Sequence, residues 1–198
     1  MMIDTHCHLV EDAFDNDVDE VIVRAVANGV RGLMVLTEEK NDIAKALALQ
    51  ERFPEVVNLG FGVHPVQKFR AQNNEPRCVT LKDMEGIHDL IIKHGDSLSC
   101  LGEIGLDHTP DVCSSPDQHA AQKAIFVQHI RLARQLNLPV NVHSRSAPMP
   151  TIEVLKAEGA TKVQLHAFDG RPSQAMLGVQ AGFYFSIPPC VVRSKQVN

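Results

Sequence analysis

No stretch of this sequence approaches the ~18 consecutive apolar residues that a membrane-crossing helix requires. The opening residues, Met1-Met2-Ile3-Asp4-Thr5-His6-Cys7-His8, form neither a basic n-region nor an apolar h-region. Membrane insertion and secretion through a standard signal peptide are therefore not expected. A surplus of positive charge is missing too. Lys+Arg 19 against Asp+Glu 24 leaves a formal net charge of −5, which excludes a basic arm that grips nucleic acid by charge alone. Cysteine is scarce and unpaired: Cys7, Cys78, Cys100, Cys113 and Cys190 are scattered, odd in number and without short paired spacings. Neither a disulfide framework nor a zinc knuckle is expected, but rather the reduced thiols of a cytoplasmic or nuclear protein. No linker or low-complexity tract divides the 198 residues, which read as a single domain over 1–198, long enough to bury a core.

What the sequence does contain is a regular alternation. Short apolar, β-branched runs predict strands at Met2–His6, Gly32–Leu36, Val56–Val63, Cys100–Leu106, Pro139–His143, Val163–His166 and Phe183–Ile187. Longer stretches of helical period fall between them, near Val18–Asn28, Asp42–Phe53, Leu81–His94, Pro116–Leu136, Thr151–Glu158 and Ser173–Ala181. Ile125, Gln128, Leu132 and Leu136 space out as one helical face, Pro116 suits a first turn, and Gly159 and Gly182 follow helix ends. Strands alternating with helices mean βαβ units and a parallel sheet with helices outside. The repeat of about 30 residues suits a (β/α)8 barrel of roughly 250 residues. The seventh strand is followed only by Val191–Asn198, which looks like a connection entering another helix. The expectation is either an open sheet or a TIM-type barrel that lacks its eighth strand and final helices. The polar stretches Lys68–Pro76 and Thr109–Pro116 are expected to be loops.

The histidines follow that map. His6 and His8 close the first strand, His64 the third, His143 the fifth and His166 the sixth. In a parallel barrel the C-terminal ends of all strands face one rim, where active sites are built. Side chains alternate along a strand, so Asp4, His6 and His8 share a face and Cys7 points away as a small core residue. Two imidazoles so placed can hold one metal ion, with Asp4 fixing a ring tautomer from behind. Taken alone, such a pair is as consistent with packed or solvated side chains. Glu103 lies inside the apolar run Gly102-Glu103-Ile104-Gly105-Leu106-Asp107, where a carboxylate is costly without a partner. A buried arginine could be that partner. A carboxylate can also bridge two cations, with His143 and His166 supplying nitrogen to the second. His64 is a candidate catalytic residue alongside Glu103, through donation to an anionic substrate oxygen, though ligation is open to it. The planar fork of Arg145 suits a phosphate as well as a surface ion pair. Asp107 is expected behind the ligands or facing substrate, and His88, His94, His108, His119 and His129 are expected at the surface.

Five ordered segments carry a family resemblance. Asp4-Thr5-His6-Cys7-His8, Gly62-Val63-His64-Pro65, Gly102-Glu103-Ile104-Gly105-Leu106-Asp107, Leu138-Pro139-Val140-Asn141-Val142-His143-Ser144-Arg145 and Leu165-His166-Ala167-Phe168-Asp169-Gly170 resemble the motif set of the TatD family, metal-dependent deoxyribonucleases on a TIM barrel. Arg171-Pro172-Ser173 and Phe185-Ser186-Ile187-Pro188-Pro189 look most like the animal members. The resemblance implies His6 and His8 on one divalent ion, Glu103 bridging, and His143 with His166 on a second, the ions being Zn, Mg, Mn or Ni. It implies DNA as substrate and hydrolysis of phosphodiester bonds, in the cytoplasm or nucleus. It also implies a further metal-binding aspartate in a Glu-Thr-Asp-Ser-Pro motif on strand eight, which lies beyond this sequence. On that reading the chain looks truncated, with impaired activity and a tendency to self-associate through open sheet edges, whereas a complete member would be a monomer. Two alternatives remain open at this point. Amidohydrolase-type enzymes share the strand-one His-x-His but commonly bridge with a carboxylated lysine, and an inactive isoform could act only as a binding partner.

Overall fold

The computed structural model describes residues 2–68 and 75–187; the expected connection at Val191–Asn198, the Pro188-Pro189 pair, Cys190 and most of the Lys68–Pro76 loop lie outside them. The strands are β1 (Met2–Cys7), β2 (Val30–Leu36), β3 (Val57–Phe61), β4 (Val66–Lys68), β5 (Pro76–Cys78), β6 (Leu98–Asp107), β7 (Val140–Arg145), β8 (Val163–Leu165) and β9 (Tyr184–Phe185). The helices are α1 (Val18–Ala27), α2 (Asp42–Arg52), α3 (Ile87–His94), α4 (Pro116–Gln135), α5 (Pro148–Ala157) and α6 (Pro172–Gln180). Seven strands form one sheet in the order β1-β2-β3-β6-β7-β8-β9, and every pairing is parallel. The sheet curls strongly. Asn141 Nδ2 on β7 donates to the Thr5 carbonyl on β1 at 2.8 Å, and Gln164 Nε2 on β8 donates to Thr5 Oγ1 at 2.7 Å. Strands four and five places apart in the sheet thus meet across its concave side, and the C-terminal ends of β1, β3, β6, β7 and β8 gather at one mouth. At the two edges the side chains of Met2, Ile3 and Tyr184 are exposed.

Apolar burial on both faces holds the half-barrel together. Phe61, Leu59, Leu101, Ile104 and Leu106 from the strands pack with Ile22, Ile87, Phe126 and Ile130 from the helices, all essentially without solvent contact. Fully burying one such side chain contributes roughly 1.5–3 kcal/mol. Helix starts follow local chemistry. Ser115 Oγ accepts from Gln118 N at 3.2 Å while Gln118 Oε1 accepts from Ser115 N at 3.0 Å, a reciprocal cap with Pro116 in the first turn. Asp42 at the start of α2 accepts from the amides of Glu38 and Glu39 at 2.9 and 3.1 Å, which fixes the loop leaving β2.

Three expectations need correction. The helix over Leu81–His94 is broken: a 3-10 turn at Leu81–Met84, closed by Thr80 and Asp83, precedes Gly86 at φ 75°, and α3 begins only at Ile87. The short antiparallel pair β4–β5 lies where only loop was expected. The buried face of α4 runs through Gln122, Ile125, Phe126, His129, Ile130 and Ala133, leaving Gln128 exposed and His129 fully buried rather than at the surface.

His129 has a measurable consequence. Its Nδ1–H donates to the Ile125 carbonyl at 2.9 Å, and Nε2 has no partner among the described residues. Burial, aided by His88, pushes the ring's pKa down to about 4. The unfolded chain takes up this proton near pH 6.5, and the folded chain does not until near 4. The contribution is complete above pH 6.5 and is lost as pH falls through that window, about 2–3 kcal/mol by pH 4.5. Urea unfolding of wild type and His129→Leu at pH 7 and 4.5 is expected to show a smaller acid loss in the variant by that amount. Equal losses would assign the acid sensitivity to other groups.

Candidate metal centre

The mouth is built around Glu103. β6 carries it into the interior, where the residue is 1% exposed. The Gly102–Glu103 peptide bond is cis, and the Glu103 amide donates to the Thr37 carbonyl at the end of β2 at 3.1 Å. Imidazole nitrogens from five histidines lie within 3.4 Å of its two carboxylate oxygens. Oε2 is 3.3 Å from His6 Nε2 and 3.1 Å from His8 Nε2. Oε1 is 2.7 Å from His143 Nδ1, 2.7 Å from His166 Nε2 and 3.4 Å from His64 Nε2. No arginine takes part in these contacts.

Two donor sets emerge, His6–His8–Glu103 and His64–Glu103–His143, each with its ligand atoms within 4.8 Å of one another. In the first, His6 Nε2 and His8 Nε2 face each other at 2.9 Å. In the second, His64 Nε2 and His143 Nδ1 are 3.2 Å apart. Ligand atoms about 2.0–2.1 Å from a tetrahedral ion stand about 3.3 Å from one another, so both sets have the spacing of a divalent-cation site. Mixed imidazole and carboxylate donors fit such an ion chemically as well.

The charge balance points the same way. Burial alone would raise the Glu103 pKa, but His64, His143, His166 and His6 hold it well below the usual carboxylate range. The pocket therefore keeps an anion where five imidazoles converge. Burial disfavours the His8 cation, yet Glu103, Glu38 and Glu11 outweigh it and lift the ring to about 9. His166 is left on the other side, pushed by burial down to about 4. Its ring stacks on His6 with centroids 3.6 Å apart, which locks two of the candidate ligands together.

Behind the candidate ligands sit residues that orient them. Asp107 Oδ2 accepts from His143 Nε2 at 3.0 Å, while its Oδ1 accepts from Thr109 N at 2.9 Å. Burial opposes its ionisation, but those two bonds hold the Asp107 carboxyl well below its ordinary range. Asp107 is itself fixed by the buried Gln122, which accepts from the Asp107 amide at 3.0 Å and donates to its carbonyl at 2.8 Å. Asp4 does not reach a ring. Its Oδ1 accepts from the backbone N–H of His6 at 3.1 Å, and the group against His6 Nδ1 is Asn141 Oδ1 at 2.9 Å. His64 belongs to a donor set and not merely beside it. Arg145 is exposed at the end of β7, outside the buried cluster. Cys7 points away from the site as expected, its thiol donating to the Met34 carbonyl at 3.3 Å. His108 and His119, expected to be separate surface residues, are half-buried and stacked with centroids 3.7 Å apart, away from this centre.

Asn141 and Gln122 are the functional residues that sequence reasoning missed. The only signal was polarity at a buried register: an asparagine inside the apolar run Pro139–His143, and a glutamine three residues before Ile125 on the packed side of α4.

Along nearly its whole length the chain is similar to known proteins. The family model described as "TatD related DNase" matches residues 3–198. The human protein named "Deoxyribonuclease TATDN3" is 45% identical over 195 residues, 98% of this chain and 70% of that protein. The mouse TATDN3 protein is also 45% identical, and the chain spans 66% of its length, just under two thirds. An uncharacterized metal-dependent hydrolase of Bacillus subtilis, YabD, is 32% identical over 188 residues, 94% of this chain and 68% of its own. Among solved structures, the TatD homologue YJJV of Escherichia coli superposes with a TM-score of 0.75 at 26% identity, covering 93% of this chain and 66% of that one. With a match over nearly every residue, and with the candidate ligands gathered at one mouth, the chain belongs to the TatD-related DNase family.

Proposed function

We propose that this protein hydrolyses phosphodiester bonds of DNA at a centre of two divalent cations, chosen among Zn, Mg, Mn and Ni. The observation that supports it best is the convergence of five imidazoles on the two oxygens of one buried carboxylate. His6 and His8 would hold one ion, Glu103 would bridge, and His143 would hold the second with His64 or His166. When bound, the two ions would polarise the scissile phosphate and acidify a water molecule. The chain's own groups do the rest. Asp107 accepts the Nε2 proton of His143, which leaves Nδ1 directed at Glu103 and the mouth. His64 and Arg145 would receive the anionic oxygens of the substrate, Arg145 as a planar fork. The carboxylates Glu11 and Glu38, which raise the His8 pKa, stand beside the first donor set. Local cation charge would offset them and the net −5 of the chain. A glutamate, where amidohydrolase-type enzymes commonly carry a carboxylated lysine, favours the nuclease reading over hydrolysis of small amides.

No helix among the described residues is long and apolar enough to cross a membrane. A nuclear or cytoplasmic site of action, where DNA and reduced thiols coexist, belongs to the same proposal.

The test is metal content by mass spectrometry on the purified chain, with His6→Ala and His166→Ala alongside, followed by hydrolysis of end-labelled DNA with Mg, Mn or Zn and with a chelator. The expected result is bound divalent metal that falls in His6→Ala, and DNA cleavage that the chelator stops. Metal content untouched by either substitution would overturn the ligand set. Cleavage that persists in chelator would overturn the mechanism.

A further inference from the structure

We infer that Asn141 is the positioning residue that selects the tautomer of His6. The effect of Asn141 on metal binding rests on the metal-site reading above; its hold on the His6 tautomer does not.

The chain of constraints begins at a backbone carbonyl. Thr5 O on β1 can only accept, so the Asn141 side-chain atom 2.8 Å from it must be the NH2 nitrogen. That settles the orientation of the carboxamide and turns its oxygen toward His6 Nδ1 at 2.9 Å. An amide oxygen accepts and never donates, so Nδ1 must carry the proton. In the neutral ring Nε2 then keeps its lone pair, and Nε2 is the nitrogen that faces Glu103 Oε2 at 3.3 Å and His8 Nε2 at 2.9 Å.

An isolated histidine side chain prefers the opposite arrangement, with its proton on Nε2. At this site that tautomer would aim a hydrogen into the donor set and leave two acceptors facing each other behind the ring. On the Nδ1 side, no other group among the described residues supplies the selection. Asp4 is spent on the backbone N–H of His6, and the stacked His166 ring offers its face and not an acceptor.

The carboxamide is also confined. Asn141 is 2% exposed. Gly102, one residue before Glu103, lies against it, and a Cβ there would come within 2.7 Å of Asn141 Cβ and 2.9 Å of its carbonyl oxygen. The missing side chain at Gly102 leaves room for Asn141 to sit between Glu103's strand and His6. A neutral amide orients the ring without adding a charge that would hold a proton on it, unlike the carboxylate behind His143.

The test uses protein labelled with 15N at histidine, in which two-bond proton–nitrogen correlations read the tautomer of His6 directly in the metal-free chain. Wild type is expected to show Nδ1–H with a bare Nε2. Asn141→Leu is expected to move His6 toward the Nε2–H form and to weaken Zn(II) binding about tenfold to a hundredfold. Asn141→Asp keeps an acceptor at the ring but loses the donor to Thr5. It is expected to retain the wild-type tautomer and to bind Zn(II) far better than Asn141→Leu. An unchanged tautomer in Asn141→Leu would overturn the inference. So would an Asn141→Asp protein that loses the tautomer together with the leucine variant, since the role would then be the structural tie to β1. Should the leucine variant not fold, Asn141→Ala carries the same expectation. A tautomer shift in a chain that takes up no Zn(II) would support the role of Asn141 and overturn the metal reading instead.

Discussion

Replacing Glu103 by glutamine is expected to abolish stabilisation by divalent metal and to cost more in activity than any other single change at the mouth. The substitution keeps shape and volume in a site that is 1% exposed, so the fold should survive. What changes is charge and donor geometry. The carboxylate accepts on both oxygens, and imidazole nitrogens of His143 and His166 approach one of them at 2.7 Å each. A carboxamide presents two hydrogens on one side, against His6 and His8 or against the other three rings, and it carries no charge to bridge two ions. His8 and His143, both lifted to about 9, can shed protons to limit the cost of losing their anion, so metal-free stability should fall less than the 3–5 kcal/mol typical of a broken buried ion pair. Metal should matter most. A ligand at a hundred times its Kd stabilises by about 2.7 kcal/mol, which is about 5–11 °C in Tm for a chain of this size. Wild type is expected to show that rise with Zn(II) or Mn(II), and Glu103→Gln none. Losing several kcal/mol of transition-state stabilisation lowers kcat about a thousandfold or more. A Tm rise that persists in the variant would remove Glu103 from the centre.

Much of this centre was legible because its residues break local rules. A carboxylate between Gly102 and Ile104 cannot be buried without a partner, and histidines at the ends of successive strands have one rim to share. The order of strands followed from alternation alone, and so did most helix limits: α1 and α2 end within a residue of expectation. Where reading failed, the deciding contact was between segments far apart in sequence. Asn141 looks like any residue of an apolar strand until the sheet curls and brings Thr5 and His6 against it across more than a hundred residues. Asp4 was assigned the tautomer role by alternation, but the sequence does not reveal that β1 shifts register between Asp4 and Cys7. The β4–β5 pair is made of three-residue strands with polar and charged members, too short for period 2 to register. His129 could have been found. It stands four residues after Ile125 and four before Ala133, on the side of α4 that packs inward, and the face was instead drawn through Gln128.

Gly105→Ala is expected to be the most destabilising single-methyl change near the site, and to damage metal binding without touching a ligand. Gly105 pairs with His143 across β6 and β7 and holds φ at 148°, which side-chain-bearing residues rarely adopt. A Cβ there would collide with the His143 carbonyl oxygen and would stand 2.9 Å from its carbonyl carbon and 3.0 Å from its nitrogen. All three atoms are backbone within a hydrogen-bonded ladder, so no rotamer change can relieve the clash. Overpacking typically costs 1–3 kcal/mol and a disfavoured backbone conformation a further 1–3. The expected loss is about 4 kcal/mol, or about 8–16 °C in Tm. Relief would have to come from β7 moving away from β6 at His143. That motion stretches the His143 contacts to Glu103 at 2.7 Å and to Asp107 at 3.0 Å together. Urea unfolding of the metal-free chain, with the m-value checked, measures the first effect; Zn(II) titration of the folded fraction measures the second. A loss below about 1 kcal/mol would mean that the ladder yields at this pair and that the narrow fit between β6 and β7 does not hold His143 in place.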